Sequence, residues 1–167
     1  SRLDEADYKQ VDIHEGIDNT LLILQHRLKH NSTQFEIQII KDYAQIPLIE
    51  CYAGKLNQVF MNILGNAIDA LSELRTSYTT AIISISTQVI DKNWVKICIA
   101  DNGTGINEEV SKNMFNPFFT TKPVGKGTGL GLSISYQIIV ETHKGKIYCD
   151  SELGKGTEFV IEIPIRQ

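Results

Sequence analysis

Apolar residues recur along the chain with two different periods, and the switches between them mark out the elements. Ile13, Ile17, Leu21, Leu24 and Leu28 fall at the spacing of one helix face, which predicts an amphipathic helix over 11–29. Phe35, Ile37 and Ile39 then alternate with polar residues as a half-buried strand does, and a short strand over 46–50 is predicted to pair with it across a turn at Asp42 to Gln45. From Gly54 to Leu74 the helical period returns, with Leu56, Phe60, Ile63, Leu64, Ala67, Leu71 and Leu74 on one face. Ile83, Ile85 and Val89 alternate next, Asp91 to Asn93 turn the chain, and Val95, Ile97 and Ile99 form the returning strand. Residues 101–129 are dense in glycine and proline and leave room only for a short helix over Glu108 to Met114. A helix over 129–143 is predicted to end at Gly145 as a left-handed cap. A hairpin of Lys146 to Asp150 and Glu158 to Ile165 closes the chain.

These elements lack the βαβ rhythm of a doubly wound sheet. They predict an α+β fold, a two-layer α/β sandwich in which helices pack on one face of a mixed, mostly antiparallel sheet. The 167 residues suit one domain, and 42% apolar with 22% charged residues is the balance of a soluble globular protein. No apolar run nears the ~20 residues a membrane helix needs, so no direct membrane contact is expected. The net charge of −4 argues against nucleic-acid binding through a basic surface. Cys51, Cys98 and Cys149 are odd in number and have no CxxC spacing. They read as reduced, mostly buried residues of a cytoplasmic protein. Ser1 in place of a methionine reads as the start of a piece of something longer.

Four segments carry candidate chemistry. On the long helix, Asn62, Asn66, Asp69 and Glu73 form one polar stripe. The plain reading of such a stripe is a solvated face, and it holds for Glu73. Asparagine is a poor mid-helix residue, however, and two of them one turn apart can present oxygens to a ligand or a hard cation. Asp101-Asn102-Gly103-Thr104-Gly105-Ile106 follows a strand. It sets a carboxylate over a closely approaching backbone, suited to an adenine amine; the competing reading is a tight turn. Phe115 to Lys122 leads into Gly125, Gly127, Gly129 and Gly131, a loop whose amides can wrap phosphates and which runs into a helix N-terminus. Neither a P-loop nor a dinucleotide fingerprint is present. Gly154-Lys155-Gly156-Thr157 reads locally as a hairpin loop.

Taken in order, the segments resemble the sensor histidine kinase catalytic domain, of the superfamily shared with gyrase, MutL-type proteins and the ATP-driven chaperones. QVFMNILGNAIDAL over 58–71 resembles the N box. DNGTGI resembles the first glycine box, FNPFFTTK the F box, GKGTGLGLS the second glycine box and GKGTEF the third. The match covers 53–165, and over 1–52 only the layout agrees. The resemblance implies a Bergerat-type fold that binds ATP and Mg²⁺. It implies that Asn66 holds the metal and that Asn62 supports phosphate or metal geometry. It also implies that Asp101 accepts from the adenine amine, with Gly103 and Gly105 giving clearance and Ile106 an apolar wall. Gly127, Thr128, Gly129, Leu130, Gly131 and Leu132 would form a phosphate-covering lid, with Lys122 an ion partner there. Thr157 would stand at the adenine edge. Asp69 matches a variable polar position near the phosphates. Water-splitting relatives carry Glu where this chain has Asn62, a poor general base, which suits a kinase that keeps its γ-phosphoryl group.

The implied acceptor is a histidine on a dimerisation domain, with relay to a response regulator. His14-Glu15 is followed by Gly16 and lacks the neighbours of an acceptor box. His14 therefore reads as a surface residue, as do His26, His30 and His143. Residues 1–10 read as the tail of missing dimerisation helices and 11–167 as the catalytic domain. Three other functions share these motifs: a nucleotide-binding regulatory module, an anti-sigma-type serine kinase, and an ATPase motor, which Asn62 disfavours.

Overall fold

The structure is a computed structural model and describes residues 8–30, 35–74, 79–116 and 130–167. Its strands are β1 (Tyr8–Val11), β2 (Lys29–His30), β3 (Phe35–Tyr43), β4 (Ile49–Tyr52), β5 (Ala81–Ile90), β6 (Trp94–Asp101), β7 (Lys146–Glu152) and β8 (Gly156–Pro164). Its helices are α1 (Ile13–Ile23), α2 (Gln25–Leu28), α3 (Ala53–Ser72), α4 (Glu108–Asn113) and α5 (Leu130–Tyr136), the last continuing as a π-helical turn, Gln137–Thr142. A six-stranded sheet runs β2-β3-β5-β6-β8-β7, and only β3 and β5 pair in parallel. A separate two-stranded ribbon joins β1 to β4.

Alternation builds the sheet's inner face. Ile83 and Ile85 on β5, Val95, Ile97 and Ile99 on β6, and Phe159, Ile161 and Ile163 on β8 are all buried. Against them α3 buries Leu56, Val59, Phe60, Ile63, Leu64, Ala67, Ile68 and Leu71, and α1 adds Ile13, Ile17 and Leu21. Burying one such side chain is worth about 1.5–3 kcal/mol relative to leaving it exposed. The α3–sheet contact is therefore the main source of stability, and it fixes the helix that carries the asparagines. The predicted two-layer α+β sandwich is the fold observed. Among the described residues no helix is long and apolar enough to cross a membrane.

Local departures have physical reasons. The first helix starts where Asp12 accepts the His14 amide and breaks at Leu24, although its apolar stripe continues through buried Leu28. The strand predicted over 46–50 lies at 49–52 and pairs with β1, not with β3. β5 pairs with β3 along residues 37–43 and β2 meets it only at Phe35 and Glu36; Pro47, inside the predicted strand, lacks the N–H that a ladder needs. The predicted N-terminal segment ends at residue 10, whereas β1 begins at Tyr8. The left-handed residue after α5 is Lys144, at φ 58°, rather than Gly145. Gly145 is glycine because a Cβ there would lie 2.2 Å from the Glu162 carbonyl oxygen.

The histidines also depart from the expected surface setting. His143 is fully buried; its Nδ1 donates to the Ile138 carbonyl at 2.8 Å and its Nε2 accepts the Tyr52 amide at 3.1 Å. His14 is half-buried, stacks on Tyr43 and meets Thr87 Oγ1 at 2.7 Å. His26 is exposed, as predicted, and the His30 side chain lies outside the described residues. All three cysteines are free. Cys51 is buried, which pushes its thiol up to about 12, while Cys98 and Cys149 are only half-buried.

Two glycines should respond oppositely to a methyl group. Gly145→Ala forces a methyl against backbone and should destabilise the domain by roughly 1–3 kcal/mol. Gly65 lies within α3 with nothing inside 4 Å of an added Cβ, so Gly65→Ala should stabilise by up to about 1 kcal/mol. Urea unfolding midpoints of the two variants, at unchanged m-value, check both signs.

Candidate nucleotide-binding site

The second half of α3 is the floor of the site. Asn62 donates through Nδ2 to the Gly131 carbonyl at 3.0 Å and to Ser135 Oγ at 3.2 Å. These bonds tie α3 to the start of α5, where the second glycine box ends. Two turns along, Ala70 meets the first glycine box: a Cβ on Gly103 would come within 3.3 Å of Ala70 Cβ. One residue past the helix end, Glu73 accepts from Thr104 Oγ1 at 3.2 Å. Positions 62, 66 and 70 share one stripe, about 6 Å apart along the axis. Half-buried Asn66 therefore stands between the two glycine boxes. Asp69 is held by the Arg27 guanidinium, from α2.

Asp101 ends β6, half-buried, directly opposite Thr157 on β8. Its carboxylate accepts the Gly103 amide at 2.9 Å. Burial raises its pKa above the ordinary carboxylate range, while the Gly103 and Thr157 amides act in the opposite direction. Asn102 plays a structural part: its carboxamide accepts from Ile82 N at 2.7 Å and donates to the Thr80 carbonyl at 2.6 Å, stitching the loop to β5.

Backbone closeness holds the two loops together. Gly105, at φ 76°, lies so near the β7–β8 turn that a Cβ would sit 2.2 Å from the Glu152 carbonyl oxygen. Gly156, at φ 125°, lies as close to the Asp101 carbonyl, 2.1 Å from a Cβ. The first and third glycine boxes thus interlock main chain on main chain, where only glycine fits. Ser151 fastens the same junction, accepting the Ile106 amide at 2.9 Å. Sequence reasoning missed Ser151, and the one available signal, a hydroxyl in a strand beside a glycine turn, is weak.

Asn62, Asn66, Asp101, Gly103, Gly105, Ile106, Gly131 and Thr157 are therefore brought along the second half of α3 and the adjoining ends of β6 and β8. Half-buried Ile106 and Leu132 pack against the core. Phe115, the first residue of the predicted F box, contacts Tyr136 and Phe159 at ring-centroid distances of 5.9 and 6.5 Å, which anchors the start of that segment to α5 and β8. Lys122, Gly127, Thr128 and Gly129 lie outside the described residues, as does the Leu130 side chain.

Comparison with known proteins supports the fold. Residues 52–167 match the family model described as histidine kinase-, DNA gyrase B- and HSP90-like ATPase. The chain belongs to this ATPase family. It is 37% identical to sporulation kinase E of Bacillus subtilis (strain 168) over 160 residues, 96% of this chain and 20% of the relative. It thus spans about a fifth of that relative's length. The catalytic domain of histidine kinase ThkA has a TM-score of 0.79 at 27% identity, covering 96% of this chain and 99% of that one. Full-length ShkA in complex with AMPPNP has a TM-score of 0.78 at 26% identity, covering 95% of this chain and 31% of that one. Within the ATPase family these similarities lie with the histidine kinases.

The raised Asp101 pKa has a direction that can be tested. A carboxyl whose pKa is higher folded than unfolded adds stability below the unfolded value of about 3.9, and that stability is lost as pH rises through the folded value. The ligand-free wild type should therefore lose stability relative to Asp101→Asn as pH rises from about 4 towards 7. Melting temperatures of both proteins across that range give the sign, and a difference that does not vary with pH contradicts the assignment.

Proposed function

We propose that this chain is the ATP-binding catalytic domain of a two-component sensor histidine kinase. It donates the γ-phosphoryl group of ATP to a histidine on a dimerisation domain of the parent kinase, for relay to a response-regulator aspartate. The observation that carries this reading is the convergence of Asp101, Gly103 and Thr157 at the adjoining ends of β6 and β8, with Gly103 against Ala70 on the asparagine stripe of α3. A base at those strand ends and phosphates over the stripe would span the site in one direction.

In this reading Asp101 accepts from the adenine amine, and Ile106 supplies an apolar wall. Gly103 and Gly105 keep the backbone clear of side chains. Asn66 is the residue that would hold Mg²⁺, because its carboxamide oxygen is a hard donor standing between the two glycine boxes. Bound there, the ion would neutralise charge across the phosphates. Asn62 holds Gly131 and Ser135, so it supports the phosphate end and is a poor base for activating water. Asp69, its charge balanced by Arg27, flanks that end. Gly127, Thr128, Gly129, Leu130, Gly131 and Leu132 would cover the phosphates, with Lys122 beside them. The domain works in the cytoplasm, where ATP and response regulators are found.

Transfer needs the acceptor held close and in line with the γ-phosphorus, and such proximity is worth about 7–11 kcal/mol. None of His14, His26 and His143 is placed as an acceptor. His14 is stacked on Tyr43, His143 is buried with both nitrogens used, and His26 is a surface residue of α2. Incubation with γ-labelled ATP should leave the chain alone unlabelled and put acid-labile phosphate on the parent kinase's dimerisation domain when that is added. Acid-stable label on a protein substrate would instead assign a serine kinase, and stoichiometric label lost in His14→Ala would make the chain its own acceptor. Asn66→Ala should weaken nucleotide binding about tenfold with Mg²⁺ present and much less in EDTA. Equal losses in calorimetry under both conditions would make Asn66 structural.

A further inference from the structure

The proton positions of one hydroxyl cluster follow from its partners. Ser151, on β7, accepts the Ile106 amide at 2.9 Å, lies 3.0 Å from the Gly156 carbonyl oxygen and 2.7 Å from Thr157 Oγ1. A hydroxyl has one proton to give and two lone pairs to receive. The Gly156 carbonyl can only accept, so it takes the Ser151 proton. The Ile106 amide can only donate, so it fills one lone pair. The contact with Thr157 is then made with Thr157 as donor, and Ser151 is saturated.

Thr157 has thereby used its only proton. Whatever else its Oγ1 meets, it meets as an acceptor. Thr157 is 8% exposed, so its hydrogen bonding is set by these neighbours rather than by bulk water. It also lies in register with Asp101, whose carboxylate is an acceptor too.

We infer that Ser151 is a positioning residue for nucleotide selection. By holding the Thr157 proton it makes Asp101 and Thr157 two acceptors for the two hydrogens of a 6-amino group, which the oxygen of a 6-oxo purine cannot supply. A threonine hydroxyl free to rotate could donate as readily as accept and would not discriminate. The inference rests on the reading of Asp101 and Thr157 as the adenine edge and adds a residue to it, Ser151, that contacts the neighbouring hydroxyl rather than the base.

The test is calorimetric binding of ATP and GTP to the wild type, Ser151→Ala and Thr157→Val, with thermal unfolding to verify the fold. The wild type should prefer ATP. Ser151→Ala should narrow that preference roughly fivefold, the net worth of about one hydrogen bond. Thr157→Val should weaken ATP a few-fold and leave GTP unweakened, and this variant carries the test alone if Ser151→Ala does not fold. A folded Ser151→Ala that keeps the full preference overturns the inference, as does a Thr157→Val that weakens both nucleotides equally. A wild type that binds ATP and GTP equally contradicts the adenine-edge reading itself and removes this inference with it.

Discussion

The carbonyl of Asp101 is approached so closely by Gly156 that no side chain fits between them, and the rest of the site depends on that approach. It lets β8 run beside β6 in the register that sets Thr157 opposite Asp101. A larger residue at 156 would push the strands apart where they must meet. Gly105 repeats the same contact from the other side, against Glu152. The glycines of the first and third boxes are thus explained by main-chain proximity, before any ligand is considered. Their direct consequence is a half-buried carboxylate, which is unfavourable for the empty domain and valuable to a ligand that can donate to it.

Helix α3 sets the distances. Its inner face is bound to the sheet by eight buried side chains, so its outer stripe cannot drift. Asn62 fastens α5 at one end and Ala70 and Glu73 abut the first glycine box at the other. The separation of the first glycine box from Gly131 is therefore fixed by helix rise rather than by loops. A rigid floor of this kind leaves conformational change to the segments around it.

Much of this was legible in the sequence, for identifiable reasons. The 3.6 and 2.0 periods are strong where an element buries one face, as α3, β5 and β6 do, and those elements appear within a few residues of their predicted ends. Ordered motifs singled out Asn62, Asn66, Asp101 and Thr157 as candidates, and the structure sets Thr157 opposite Asp101. Pairing was harder to read. The partner of β4 is β1, a strand far upstream in the chain, and no local pattern records that. In sequence His143 reads as a surface residue, because a lone polar residue beyond a helix usually lies there. Its burial depends on two backbone partners, Tyr52 and Ile138, of which the first is distant in sequence. Ser151 escaped for the same reason: its importance lies in three contacts made across two loops.

The account stands or falls on whether the Asp101 carboxylate reads the base. Guanine presents a carbonyl where adenine presents an amine, so ATP should bind the wild type well ahead of GTP. Losing a charged hydrogen bond of about 1.5–3 kcal/mol should cost Asp101→Ala roughly 10- to 150-fold in ATP affinity. Isothermal calorimetry of both proteins with both nucleotides, at one Mg²⁺ concentration and one pH, makes the comparison directly. The account predicts a large loss for ATP and little change for GTP in Asp101→Ala. Equal ATP affinity in wild type and variant would contradict it.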